Sequence, residues 1–231
     1  MKKLLCGLLM LALALSMAYA EDTAETVVYV SIANGTLMTA LAPVSVSDID
    51  EDGALTINDA LYLAHELYFE GGDGYASAMS DWGLSLTKLW GVENGGSYGY
   101  YVNNVSAMSL ADPVQDGDTV YAFVYTDTAA WSDTFCYFDA EFRTAGAGDE
   151  VTLTLCAAGF DENWTPVTLP VAGAVITING EATEYVTDEN GTVTITVTAD
   201  MPFVVSAVSE DMVLVPPVCI FAEAAEAELA A

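Results

Sequence analysis

Val44-Ser-Val46-Ser-Asp48-Ile-Asp50-Glu-Asp52-Gly53-Ala54-Leu-Thr56-Ile-Asn58-Asp59-Ala60-Leu61 changes its hydrophobic period within eighteen residues. Val44 and Val46 alternate with serine, the period of a half-buried strand. From Ile57 the apolar residues Ile57, Ala60, Leu61, Ala64, Leu67 and Tyr68 recur at helical spacing, which predicts a helix to about Phe69. Between strand and helix, residues 48–59 carry oxygen-bearing side chains at loop positions 1, 3, 5, 9 and 12, with glycine at position 6. A hard cation takes six to eight oxygen ligands, and this spacing lets one loop wrap it. Asp48, Asp50, Asp52, Thr56 and Asp59 are the candidate side-chain ligands. Ala54 offers its backbone carbonyl, and calcium is the expected metal. Position 12 holds the shorter Asp59 instead of the usual glutamate. The bland alternative is a solvated acidic turn that caps the helix.

Outward from this stretch, Thr26 to Ile32 reads as a first strand, and Asn34-Gly35 signals a two-residue hairpin turn into a second, Thr36 to Val46. Beyond the helix, Gly71-Gly-Asp-Gly74 stops it. Leu84 to Trp90, Tyr98 to Val105, Thr119 to Tyr125 and Thr134 to Phe142 read as extended segments. Strand, hairpin, strand, helix and further strands is the order of a β-grasp. From about Thr144, short runs alternate apolar residues with Thr or Ser, as in Val151 to Leu155 and Thr192 to Val197, separated by Asn-Gly turns. That pattern predicts an all-β sandwich over residues 146–222, with Gly146 as the hinge after a first domain of 21–143. The fold class is therefore α+β, a β-grasp-like domain with one helix followed by an immunoglobulin-like sandwich.

Lys2 and Lys3, the apolar run Leu4 to Leu15 and Ala18-Tyr-Ala20 have the form of a secretion signal over residues 1–20. Residues 223–231 form an Ala/Glu tail. Past the signal, 34 acidic residues face only Lys88 and Arg143. No basic footprint exists to neutralise phosphates, which argues against nucleic acid and anionic membranes and for cation binding. No second long apolar run suggests a span. Cys136, Cys156 and Cys219 remain after the signal. Cys156 and Cys219, on candidate strands of one domain, are the favoured disulfide pair, with buried free thiols as the alternative. His65, the only histidine, has no nucleophile or metal-ligand motif around it, so the chain reads as a non-enzyme. A carboxylate-pair glycosidase is a remote alternative, since so acidic a composition makes chance pairs inevitable.

Three resemblances bear on this reading. The loop resembles the calcium half-motif of dockerin modules, which also end it in Asp. A dockerin carries two such segments and this chain carries one, so cohesin binding does not carry over. Gly99-Tyr-Tyr-Val-Asn-Asn104, Leu110, Asp116-Gly-Asp118 and Tyr121-Ala-Phe-Val-Tyr125 resemble the transcobalamin-like C-terminal domain, with Asn104 where that family usually has glycine. The Asp-rich loop before Asp59-Ala-Leu61 and Ala64-His-Glu66, with Leu89-Trp-Gly91 after them, is similar to a variant in secreted proteins of anaerobic Gram-positive gut bacteria. Thr187-Asp-Glu-Asn-Gly191 resembles bacterial immunoglobulin-like spacer domains. The resemblances imply a secreted or surface-held binding protein, with a corrinoid as one alternative ligand. In the transcobalamin family a helical domain completes that site, and no counterpart is visible here.

The aromatics Trp90, Tyr100, Tyr101, Tyr121, Tyr125 and Trp131 crowd one region. The resemblance places their strands opposite the helix. They are the candidate ligand face for a glycan, a corrinoid or a surface protein, unless the second domain packs there.

Overall fold

The computed structural model describes residues 25–69, 71–163, 165–198 and 201–223. The signal segment and the tail beyond Glu223 lie outside these residues. β1 (Val27–Asn34) and β2 (Thr36–Ser45) form a hairpin. Its turn is tighter than the two-residue form expected. Asn34 pairs directly with Thr36, and Gly35 alone makes the reversal at φ +68°, a conformation costly for any side chain. A bulge at Leu41 (φ +44°), whose N–H donates to Ser31 Oγ, kinks β2 midway.

The helix α1 (Ile57–Tyr68) follows the acidic loop. β3 (Ala76–Ser80) and β4 (Gly83–Lys88) make a separate hairpin, of which the sequence reading had only the second strand. β5 (Tyr98–Val102), β6 (Val105–Ser106) and β7 (Thr119–Val124) complete a five-stranded sheet in the order β2-β1-β7-β5-β6. β1 and β7 run parallel in it, and the other pairs are antiparallel. α1 lies on one face. Ile57, Ala60, Leu61 and Ala64 bury against Val28, Val30, Ile32 and Val44.

The rest of the chain is β8 (Thr134–Phe138), β9 (Phe142–Ala145), β10 (Glu150–Phe160), β11 (Pro166–Pro170), β12 (Val175–Ile178), β13 (Glu181–Val186), β14 (Thr192–Thr196), β15 (Phe203–Val208), β16 (Leu214–Val215) and β17 (Cys219–Glu223). β11-β10-β8-β16, with β14 also on β10, forms one sheet, and β13-β12-β15-β17-β9 forms the other. Leu153, Leu155, Val193 and Ile195 meet Ile176, Phe203, Val205 and Phe221 between them. Their alternation with outward Thr is what the sequence showed.

Two expectations are corrected here. Thr134 to Phe142 does not close the first sheet. β8 pairs with β10 and β16, and β9 pairs with β17, so both belong to the sandwich. The chain passes between modules in the loop 126–133, which Asp133 ties by accepting from the N–H groups of Thr126 and Asp127. Gly146 is accordingly not a hinge. Its N–H donates to Asp149 in the β9–β10 turn, and Gly148 N–H bonds to the Val197 carbonyl.

The modules are joined by a third apolar cluster. Ala33, Phe123, Phe135 and Val215 are its buried members, with Tyr101, Tyr121 and Tyr125 packed against them. Tyr101 stacks on Phe135 at 3.6 Å between centroids and 9° between planes. Tyr121 hydroxyl donates to the Pro216 carbonyl. Burial pushes the Tyr101 hydroxyl up to about 12, with Tyr125 adding to the shift, and raises Tyr121 as well.

Phe135→Ala empties the centre of this cluster and should cost about 3–5 kcal/mol, shifting a denaturant melt followed by aromatic circular dichroism. Alkali should act on the same interface. Tyr101 titrates near its ordinary value of about 10 when unfolded and near 12 when folded, so stability falls as pH rises through that window. Unchanged stability to pH 12, or a negligible effect of Phe135→Ala, would remove the interface from the account.

Candidate metal centre and the aromatic face

The loop between β2 and α1 is built by carboxylates capping its own backbone. Asp48 accepts from the N–H groups of Asp52 at 3.2 Å and Gly53 at 2.9 Å, and Asp52 accepts from Ala54 N–H at 2.9 Å. Glu51 (φ +59°) and Gly53 (φ +88°) take left-handed conformations that fold the loop back. The outcome is that carboxylate oxygens of Asp48, Asp50 and Asp52 lie within 4.8 Å of one another, a group that could hold a metal ion. Asp50 is the electrostatically unsatisfied member. Burial, then the charges of Asp52, Asp59 and Asp48, raise its carboxyl above the ordinary value.

Thr56 and Asp59 do not join that group. They form a capping box: Asp59 accepts from the backbone N–H and hydroxyl of Thr56 at 2.8 and 2.7 Å, and Thr56 Oγ1 accepts from Asp59 N–H. Asp59 also accepts from Ile49 N–H at 3.0 Å and is fully buried. Ala54 lies exposed in the loop. Asn58, which the sequence reading left as a helix residue, is buried behind the acids. Its amide donates to Asp50 at 3.3 Å, and its carbonyl accepts from Tyr75 and Ser77 at 2.7 and 2.8 Å. A polar residue between Ile57 and Ala60 on the buried start of the helix was the signal available for it.

The six aromatic candidates do not form one surface. Strand parity sends Tyr100 to the helix side and Tyr101 to the module interface, where Tyr121 and Tyr125 join it. Trp90 (φ +48°) packs on His65 and Phe69 at 5.3 and 5.1 Å. Trp131 is exposed in the loop between modules. The face opposite the helix is thus covered by the sandwich, which corrects the proposed ligand face. The expected Cys156–Cys219 disulfide is also absent, and Cys136, Cys156 and Cys219 are free. Cys156 alternates with the inward Leu155 and Ala157 on β10 and points outward, while Cys219 is buried in the core on the other sheet. Burial pushes the Cys219 thiol up to about 12.

His65 is fully buried and structural. Its Nδ1 lies 2.6 Å from the Leu61 carbonyl, and its Nε2 accepts from Trp90 N–H at 3.0 Å. The neutral, Nδ1-protonated ring satisfies both contacts. Burial lowers its pKa. Both described cations are ion-paired, Lys88 with Glu93 and Arg143 with Asp139.

No protein-family model matches the chain, and no curated protein matches it. Among the described residues, no helix is long and apolar enough to cross a membrane.

Protonating His65 forfeits the acceptor for Trp90 N–H. With a folded pKa below the unfolded value of about 6.5, its contribution is complete above that pH and is lost as pH falls below it. The groups packed around the ring are Phe69, Tyr75 and Trp90, none of them a carboxylate. His65→Leu should be less stable than the parent at pH 7, and the gap should narrow toward pH 5 in thermal melts. A gap that does not change with pH would refute this assignment.

Proposed function

We propose that this chain is an exported, non-catalytic binding protein whose first module is held in shape by calcium. The observation that carries the calcium reading is the convergence of Asp48, Asp50 and Asp52 in one loop, where their mutual repulsion raises the Asp50 carboxyl. Three carboxylates make an all-oxygen donor set suited to a hard divalent cation. The fit is partial in one respect. Asp59 and Thr56 are occupied by the helix cap, so the three aspartates, the Ala54 carbonyl and water would carry the coordination. A cation there would neutralise the mutual repulsion that raises Asp50, and Asn58 holds Asp50 in place.

The finer fold reading belongs to the same proposal. The helix-covered sheet, with its parallel β1–β7 pair, supports a β-grasp-like module of the transcobalamin-like kind, and the two facing sheets support an immunoglobulin-like one. Residues 1–20 have the composition of a secretion signal, which supports reading the protein as secreted or held at the cell surface. The binding role is supported by large apolar side chains held in solvent. Trp82 in the β3–β4 turn is 82% exposed and Met79 is 79% exposed, and Met108 stands out on the neighbouring segment. Ser109 meets Gly83 and Leu84, so these segments are adjacent. A glycan or a surface protein is the ligand class proposed.

Calcium should raise the melting temperature. At a hundredfold excess over the dissociation constant the gain is about 2.7 kcal/mol. Asp50→Asn is the informative variant, because Asp50 suffers the repulsion and its side-chain partner Asn58 is a long 3.3 Å contact. Without calcium it should melt no lower than the parent, and with calcium it should lose most of the shift. Equal melting of the parent in calcium and in chelator would defeat the calcium reading.

A further inference from the structure

Between the modules runs a groove of about 470 Å³ with two different walls. One wall is the run Thr36 to Ala40 of β2. Successive residues of a strand point to opposite faces, so five in a row can line one groove only if it runs along the strand's edge. That edge is open. β2 is the outermost strand of its sheet, and among the described residues no strand pairs with its far side. The opposite wall is the outer face of β12 and β15, where Val204 and Val208 stand out beside the buried hydroxyl residues Thr177 and Ser206.

Exposed strand edges invite pairing, and proteins usually block them with proline, charge or a covering group. The upper half of β2 is so protected. Pro43 lies there, and its carbonyl accepts from the Tyr68 hydroxyl at 2.7 Å. Thr36 to Ala40 has neither proline nor charge. Among the described residues no charged one lines the groove, in a chain with 34 acidic residues. No aromatic among the described residues lines it either, so they offer no stacking platform of the kind a sugar ring uses.

We propose that this groove binds an extended, uncharged peptide segment of a partner protein by strand addition. The peptide's backbone pairs with the open edge of β2 at Thr36–Ala40. Its alternate side chains, small and apolar or hydroxyl-bearing, lie on Val204 and Val208. Five residues of strand span about 16 Å, which sets the length recognised. A second copy of this chain is a poor occupant, because two surfaces this acidic repel each other. The groove is separate from the exposed patch of Trp82, Met79 and Met108, none of which lines it, so the proposal goes beyond the binding role read above. The calcium loop takes no part, so calcium dependence and peptide binding fail separately.

The test uses the chain from Glu21 onward and a panel of acetylated, amidated peptides of about seven residues that alternate Thr with Val, Leu or Ala. Binding is followed by calorimetry and by hydrogen exchange. The expected result is binding by panel members with slowed exchange at residues 36–40. Val208→Glu should weaken it about tenfold or more, because it sets a charge on the wall at a half-exposed position that the fold tolerates. Backbone N-methylated peptides should not bind, nor should versions with Asp in place of Thr. No binding by any panel member at about 1 mM would overturn the proposal while leaving the calcium melt shift as a separate result. Binding without protection of β2 would overturn it too, as would slowed exchange at 36–40 that rises with protein concentration in the absence of peptide, which would mark a self-association face.

Discussion

β8 has a core on each of its faces, and both modules depend on that. Cys136 and Phe138 point into the sandwich, while Phe135 and Tyr137, alternating with them, point the other way toward the sheet that carries α1. No residue of this strand is exposed, and its sequence, Thr-Phe-Cys-Tyr-Phe, has correspondingly little polar alternation. The stack of Phe135 on Tyr101 makes the outer face of the first sheet an inner surface. Tyr121 then reaches the Pro216 carbonyl, so its hydroxyl is satisfied without water. At the margin a polar contact appears, where Asn104 donates to Glu141, beside the edge-on ring pair of Tyr29 and Phe142. An apolar centre with a polar margin is the anatomy of a stable interface. The two modules therefore should not be treated as beads on a linker.

The acidic composition is absorbed by the turns. Asp161 accepts from Asn163 and Thr165 N–H, Asp188 from Asn190 and Thr192, and Asp127 from Ala129 and Ala130. Backbone donors lower the pKa of all three. Each carboxylate caps a reversal that the β-rich chain needs many times, and each gains the charged form's stronger hydrogen bond. Asp48 and Asp52 do the same in the loop before α1. Asp50 differs, because burial and the charges of Asp52, Asp59 and Asp48 raise its carboxyl in spite of a backbone donor from Asp52. This contrast separates a metal-ready loop from an ordinary acidic turn. Net charge alone does not.

The local elements were legible because they depend on short-range rules. The β1–β2 hairpin, the loop, α1 and the Thr-alternating strands all follow from period and turn chemistry in the sequence. Sheet membership was not legible. β8 follows the first module's strands in order, and nothing local tells that its partners are Leu155 and Val215 rather than β7. The aromatic face failed for the same reason, since whether a face meets solvent depends on what covers it. The cysteine pairing was legible in principle. Cys156 lies between Leu155 and Ala157 in an alternating strand, so parity already placed it outside the core. The functional group of Asn58 was visible as a polar residue on an apolar helix face, but its bond to Asp50 requires the loop to fold back first.

Where the acids are absent is as informative as where they are. β13 carries Glu181 and Glu184, and the turns carry aspartates, yet β12 and β15 have none on the face beneath β2. A carboxylate there would lose part of its hydration to the approaching strand without gaining a partner. Neutrality is thus first a condition for the two modules to lie this close. It has a second consequence. An open strand edge in a strongly acidic molecule would ordinarily be shielded by the field around it, and cationic segments would be drawn to the turns. Only at the neutral wall can an uncharged backbone approach without losing solvation to a charge, and there the open edge of β2 supplies the hydrogen bonds that such a backbone lacks.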